Sequence, residues 1–173
     1  SKVTLMDAMF ADCHALKYVD VSGFDTSKVT DMSYLFCGCS LLEELDLSHF
    51  KTSNVEEMDY MFFECFALKS LDVSGFDTGK VTDMDSMFRK CSSLTSLELS
   101  NFNTAAVKDM YCMFYESKFN GDISNWNLCS IKNMSYMFND TIFNGDISNW
   151  DVSNVTEMNH MFRDAAFKGD ISK

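Results

Sequence analysis

Between Ser27 and Thr52 the chain reads SKVTDMSYLFCGCSLLEELDLSHFKT, and its apolar residues change rhythm part-way through. Val29, Met32, Leu35, Phe36, Cys39 and Leu42 recur at spacings of three and four. At 100° per residue they fall within an arc of roughly 140°, the stripe of a helix with one buried face. Leu45-Asp46-Leu47 then alternates with the period of a half-buried strand. The pattern predicts a short strand, a turn and a short helix. The helix starts either at Val29 or only at MSYLFCGC, and the β-branched Val-Thr pair favours the shorter version. Start signals agree: Ser27, Ser53 and Ser153 precede the stripe, with Asp31, Glu56, Glu57 and Glu157 just inside it. Ser53 and Glu56 have capping-box spacing, and acids in a first turn suit the positive end of a helix.

The same stretch recurs along the whole chain. Met-Phe, once Leu-Phe, returns at residues 9, 35, 61, 87, 113, 137 and 161, and Val or Ile at 3, 29, 55, 81, 107, 131 and 155. FNGDISNW stands at Phe119 and again at Phe143, and FKGDIS begins at Phe167. Residues 1–173 therefore read as one repeat domain of about seven copies, each 24–26 residues long. Both ends fall inside a copy, so the expectation is a fragment of a longer array without its caps. One strand and one or two helical turns cannot bury their apolar faces alone, whereas stacked copies make each repeated side chain a continuous internal ladder. Leu42-x-x-Leu45-x-Leu47 also has the strand signature of leucine-rich repeats. The predicted fold is an α/β repeat solenoid, right-handed and leucine-rich-repeat-like. It has one short parallel strand per copy on one face and a short helix or turn on the other. In the last copies Phe119 and Phe143 take the place of the leading strand Leu, Ile123 and Ile147 that of Leu47, and Trp126 and Trp150 that of Phe50. Gly121 and Gly145 stand where the chain is shortened, so the bulkier rings are expected to refill a tighter rung.

Composition narrows the function classes. Hydrophobic residues make up 46% of the 173, enough for a substantial core, but no apolar run approaches the 18 residues of a membrane span. No basic-then-apolar leader is visible either. A net charge of −12 with 14 scattered basic residues argues against nucleic acid, whose phosphates need clustered Lys and Arg. Pro is absent and Gly sparse, so no linker or second domain is expected.

The chemistry-bearing residues follow the repeat. Cys13, Cys39, Cys65 and Cys91 lie 26 apart and should form one line. Cys37 with Cys39 is not a C-x-x-C pair, so a reduced, structural Cys ladder is expected rather than a zinc site. His14, His49 and His160 occupy three different phases and should not converge, which leaves no expected catalytic cluster. Ser22, Ser48, Ser74, Ser100, Ser124, Ser148 and Ser172 share one phase, as turn residues do. Asp20, Asp46, Asp72, Glu98, Asp122, Asp146 and Asp170 sit between the inward residues of the strand and should line its outer face. Such stacked carboxylates repel unless something offsets them. Either hydrogen bonds from Ser, Thr or backbone groups do so, or a divalent cation such as Ca²⁺ binds at Asp20, Asp46, Asp72 and Glu98. Tyr34, Tyr60 and Tyr136 form a stripe with Ser86, Cys112 and His160 in the same phase. Thr26, Thr52, Thr78 and Thr104 form a shorter ladder that ends at Leu128 and Val152.

MFRKCSSLTSLELSNFNT at Met87 and FNGDISNWDVSNVTEMNHMF at Phe143 resemble a bacterial surface-protein repeat of about 25 residues. It is the BspA-like leucine-rich repeat, or DUF285 repeat of mycoplasma lipoproteins, and the resemblance spans essentially the whole chain. Ser117, Thr141 and Ala165 depart from it where Cys is expected. The resemblance implies a bacterial cell-surface or secreted protein, adhesion or host-molecule recognition, and no catalytic activity. An extracellular protein or glycan would be the partner. If the chain is secreted, seven cysteines leave at least one unpaired. The candidate ligand face is the strand face: Lys17, Tyr18, Asp20, Glu43, Glu44, Asp46, Lys69, Asp72, Glu98, Asp122 and Asp146. The alternative is a stalk or spacer with no ligand of its own.

Overall fold

The computed structural model describes residues 2–169. Successive copies lie side by side in parallel, joined by bridges from Leu5 to Asp31, then to Glu57, Asp83, Asp109, Asn133 and Glu157. Each step is 26 residues in the longer copies and 24 in the shorter ones, which is the spacing of the sequence repeat.

The helical expectation fails: among the described residues there is no helix. The reason lies in where the backbone amides go. Those of Met32, Tyr34, Phe36 and Gly38 donate across to Glu57, Asp59, Met61 and Phe63 of the next copy, at 2.8–3.0 Å. Those of Leu35, Cys37 and Cys39 close turns on the carbonyls of Met32, Tyr34 and Phe36 three residues back. In a helix every one of these amides would bond four residues back. Tyr34 and Gly38 have φ of 60° and 70°, and the same two phases are left-handed in each copy from Ala8 and Asp12 to His160 and Asp164. A left-handed residue every fourth position ends one turn and begins another. Consecutive four-residue turns also place Met32, Leu35, Phe36 and Cys39 inward, so they reproduce the three-and-four spacing of a helix without being one.

The strand side is equally short. Among the described residues, regular pairing is confined to β1 (Ser70–Leu71) and β2 (Ser96–Leu97), parallel, with Ser70 opposite Ser96 and Leu71 opposite Leu97. Elsewhere the chain turns too soon. The Asp46 carboxylate accepts the Ser48 amide at 2.9 Å, and the Phe50 amide closes on the Leu47 carbonyl at 2.9 Å. The leucine-rich-repeat-like α/β solenoid is therefore replaced by a stack of turn-rich copies held by hydrogen bonds running along it. No helix long and apolar enough to cross a membrane occurs among the described residues.

The core is a set of ladders. The rings of Phe36, Phe62, Phe88, Phe114 and Phe138 are fully buried and stack nearly parallel, with centroids 5.5–5.9 Å apart. Val29, Val55, Val81, Val107 and Ile131 are buried completely beside them. In the shortened copies Phe119 folds onto Phe114 at 4.2 Å, and Phe143 onto Phe138 at 4.2 Å. A Cβ on Gly121 would stand 2.8 Å from the Phe119 ring and 3.1 Å from the Leu97 carbonyl, so glycine lets the ring close over the backbone. Trp126 donates its indole N–H to the Leu99 carbonyl at 3.2 Å, and Trp150 to that of Ile123 at 3.1 Å. The bulky residues refill the shorter rungs as expected.

Candidate functional site

The strand face carries two kinds of side chain. Asp20, Asp46, Asp72, Asp122 and Asp146 are exposed, and one carboxylate oxygen of each accepts the amide of the Ser two residues on, at 2.9–3.0 Å. The Ser bonds hold the carboxyls of Asp20, Asp46, Asp72 and Asp122 below the ordinary aspartate value. Repulsion from Asp46 acts on Asp20 and Asp72 but ranks below those bonds. The repeated acids thus close Asx turns, and the offsetting partners are the Ser residues. Glu98 is exposed in the same phase. Asp170 and Ser172 lie outside the described residues.

Lys17, Tyr18, Glu43, Glu44 and Lys69 are exposed between these turns, Tyr18 to 66%. Lys69 pairs with Glu43 of the preceding copy at 3.1 Å, both well solvated, so the pair adds little stability. These positions differ from copy to copy and close no turn of the framework.

The cysteines of the repeated phase follow one another along the stack. Cys39, Cys65 and Cys91 are buried, and their thiols donate to the carbonyls of Phe10, Phe36 and Phe62 at 3.1–3.2 Å. Burial pushes the Cys91 thiol up to about 12 and that of Cys39 up to about 11. Cys13 is exposed at the end of the line. The histidines stay apart: His14 meets the Gly38 carbonyl at 2.8 Å, His49 that of Val21 at 2.6 Å, and His160 packs on Tyr136 at 4.9 Å.

A second acidic region was not singled out by the sequence. Glu57, Asp59 and Asp83 bring one carboxylate oxygen each to within 4.8 Å of one another, an arrangement of hard oxygen ligands that a divalent cation could share. Asp85 stands beside them, its carboxyl pushed up to about 6 by burial, with one oxygen enclosed and accepting no hydrogen bond. Burial also raises Asp83 and Glu57. The bridged acids Asp31 and Glu57 had looked like helix-start residues. Asp59 and Asp85 share a phase with Ser33 and Tyr111, so no ladder of acids marks them. Along the same flank Tyr34 stacks on Tyr60 at 4.7 Å. Further on, the Arg89 guanidinium lies between the rings of Phe63 and Tyr115, at 5.3 and 4.9 Å.

The family described as Mycoplasma protein of unknown function, DUF285, matches residues 4–116 and 95–173. The chain belongs to the DUF285 family. Neither a curated protein nor a solved structure matches it. The two DUF285 matches overlap between residues 95 and 116, across β2, and together take in both the Cys-bearing copies and the shortened FNGDISNW copies. The two forms are joined by one uninterrupted run of bridges, since Asp83 pairs with Asp109 and Asp109 with Asn133.

Proposed function

We propose that this DUF285 chain is a non-catalytic binding module of a bacterial surface or secreted protein, of the BspA-like kind, recognising an extracellular protein or glycan through its strand face. One observation carries this reading. On that face the repeated acids are committed to turns, whereas Lys17, Tyr18, Glu43, Glu44 and Lys69 are exposed, vary between copies and close no turn. A framework of constant turns that displays variable residues can change specificity without changing its own packing. An exposed Tyr flanked by charges suits a protein or sugar surface.

The test is binding to immobilised extracellular-matrix proteins and to a glycan array, with and without Ca²⁺. It compares the parent chain with a variant carrying Lys17→Ala, Tyr18→Ala, Glu43→Ala, Glu44→Ala and Lys69→Ala. Loss of binding by tenfold or more, with an unchanged melting curve, supports the module. A parent chain that binds none of these ligands is a spacer, and binding that survives all five substitutions refutes the strand face as the site.

A further inference from the structure

The change from long to short copies leaves a step in the strand face. Seven residues lie between Cys91 and Leu99, but only five between Ser117 and Ile123. Leu94 and Leu97 of the long copy are answered by Phe119 alone, and its ring turns inward onto Phe114 at 4.2 Å. The chain therefore cuts the corner beside Thr95 and Glu98. An open cavity of about 310 Å³ results, with Lys118, Asn120 and Gly121 on its other side and Ile142 also in its lining. It has room for about ten waters at roughly 30 Å³ each, the scale of one sugar ring.

One backbone group at this step lacks the partner that its counterparts have. Among the shortened copies an Asn side chain joins each to the next. Asn120 Oδ1 accepts the Asn144 amide at 2.9 Å, and Asn144 Oδ1 accepts the Lys168 amide at 2.7 Å. Asn120 is the first of this row. No Asn or Gln stands between Cys91 and Leu99 in the copy before it, and the Asn120 amide donates no hydrogen bond. Thr95, Glu98 and Lys118 are exposed, and among the described residues none of the three side chains is engaged in a hydrogen bond or ion pair. Donors and acceptors thus line the step together with an apolar side chain, since Ile142 is 45% exposed.

We propose that the step is a binding site for one N-acetylhexosamine residue of a glycan. Its acetamido carbonyl accepts the Asn120 amide, as the carboxamides of Asn120 and Asn144 accept the amides of Asn144 and Lys168, and its methyl group packs on Ile142. The ring hydroxyls, each both donor and acceptor, are met by Thr95, Glu98 and Lys118. A neutral sugar suits the site better than a carboxylated one, because an anion drawn to Lys118 would meet Glu98 in the same cavity. The site shares none of Lys17, Tyr18, Glu43, Glu44 and Lys69, so it goes beyond the strand-face reading and does not depend on it. For so small a ligand the dissociation constant is about a millimolar, too weak to survive the washes of an immobilised-ligand assay.

Amide proton–nitrogen spectra of the 173-residue chain, titrated in solution with N-acetylglucosamine and N-acetylgalactosamine, test this. At least one of the two is expected to shift the Asn120 amide, and to shift the already bonded Asn144 amide less. Glucose and galactose, which lack the acetamido group, bind about tenfold more weakly or worse, and added salt changes nothing. Glu98→Ala combined with Lys118→Ala weakens the sugar about tenfold with an unchanged melting curve. Should that variant not fold, the shifts of the parent decide alone. The variant carrying Ala at Lys17, Tyr18, Glu43, Glu44 and Lys69 keeps the Asn120 response whether or not the strand face binds a ligand of its own. The proposal is overturned if neither N-acetylhexosamine moves the Asn120 amide or if glucose moves it equally. It is also overturned if a short asparagine-containing peptide binds as tightly as the sugar, which would make the partner a protein.

Discussion

Replacing Gly38 with Ala separates the observed backbone from the helix suggested by the apolar pattern, because the two give opposite signs. In a helix interior, Gly→Ala stabilises by about 1 kcal/mol. Here Gly38 has φ of +70°, a region that costs an L-residue roughly 1–2 kcal/mol. A Cβ at this position would also overlap the Asp12 carboxylate and lie 3.3 Å from the Asp12 Cα and 3.4 Å from its nitrogen. The Asp12 side chain is exposed and can swing aside, but its backbone is tied to Cys37 by a 2.7 Å hydrogen bond and cannot. Against this, Ala lowers the entropy of the unfolded chain by about 0.4–1 kcal/mol. The net expectation is a loss of about 1–2 kcal/mol, or roughly 2–8 °C in Tm for a chain of this size. Urea unfolding followed by Trp fluorescence reads the difference directly. Asp140 occupies the same phase as Gly38, is exposed and has φ of 53°, so Asp140→Gly should leave stability unchanged or raise it by up to about 1 kcal/mol. If Gly38→Ala stabilises the chain, the turn ladder is refuted.

Three further outcomes follow from the packing and the charges. Phe88→Ala should cost about 3–5 kcal/mol by urea denaturation, since its fully buried ring is stacked on both sides at 5.6 and 5.9 Å, whereas Phe10→Ala, half-buried at an end, should cost less. Asp85, with its folded-state pKa raised to about 6, holds its proton more tightly folded than unfolded. Its contribution to stability therefore falls as pH rises from 4 to 6, and Asp85→Asn should stabilise the chain at pH 7 but not at pH 4. The lowered carboxyls of Asp20, Asp46, Asp72 and Asp122 act in the opposite sense below pH 4, so thermal melts should peak between these limits. Iodoacetamide followed by mass spectrometry should modify Cys13 and Cys129 quickly, and the buried Cys39, Cys65 and Cys91 only on unfolding.

The repeat, its lengths and the inward set of residues were legible because each inward side chain recurs at a fixed period, and burial enforces that period whatever the backbone does. Phe36, Phe62 and Phe88 could be placed on one line from spacing alone, and so could Cys39, Cys65 and Cys91. The backbone conformation was not legible. Met32, Leu35, Phe36 and Cys39 satisfy a helix and a chain of four-residue turns equally well, and no residue type marks the left-handed positions. Tyr34, Ser86, Cys112 and His160 all share one such position, and Gly38 alone among them and their partners carries the usual signal. Of the candidate site, the strand-face ladder of Asp20, Asp46 and Asp72 was visible as a pattern. The gathering of Glu57, Asp59 and Asp83 was not, because it joins two phases of the repeat and only part of each is acidic.

These two acidic regions differ in how their charge is balanced. Asp20, Asp46 and Asp72 are exposed and each accepts a Ser amide, so water and a fixed dipole stabilise the ionised form and the repeated charge favours the turn. Asp83 and Asp85 are half-buried, and Asp85 keeps an oxygen with no donor, so ionisation there opposes the fold. The same residue type therefore supports the framework on one face and strains it on the other. Removing a strand-face carboxylate should lower stability at neutral pH, and removing Asp85 should raise it. The repeated acids of the strand face belong to the scaffold, whereas the exposed Lys17, Tyr18, Glu43, Glu44 and Lys69 beside them vary between copies and close no turn.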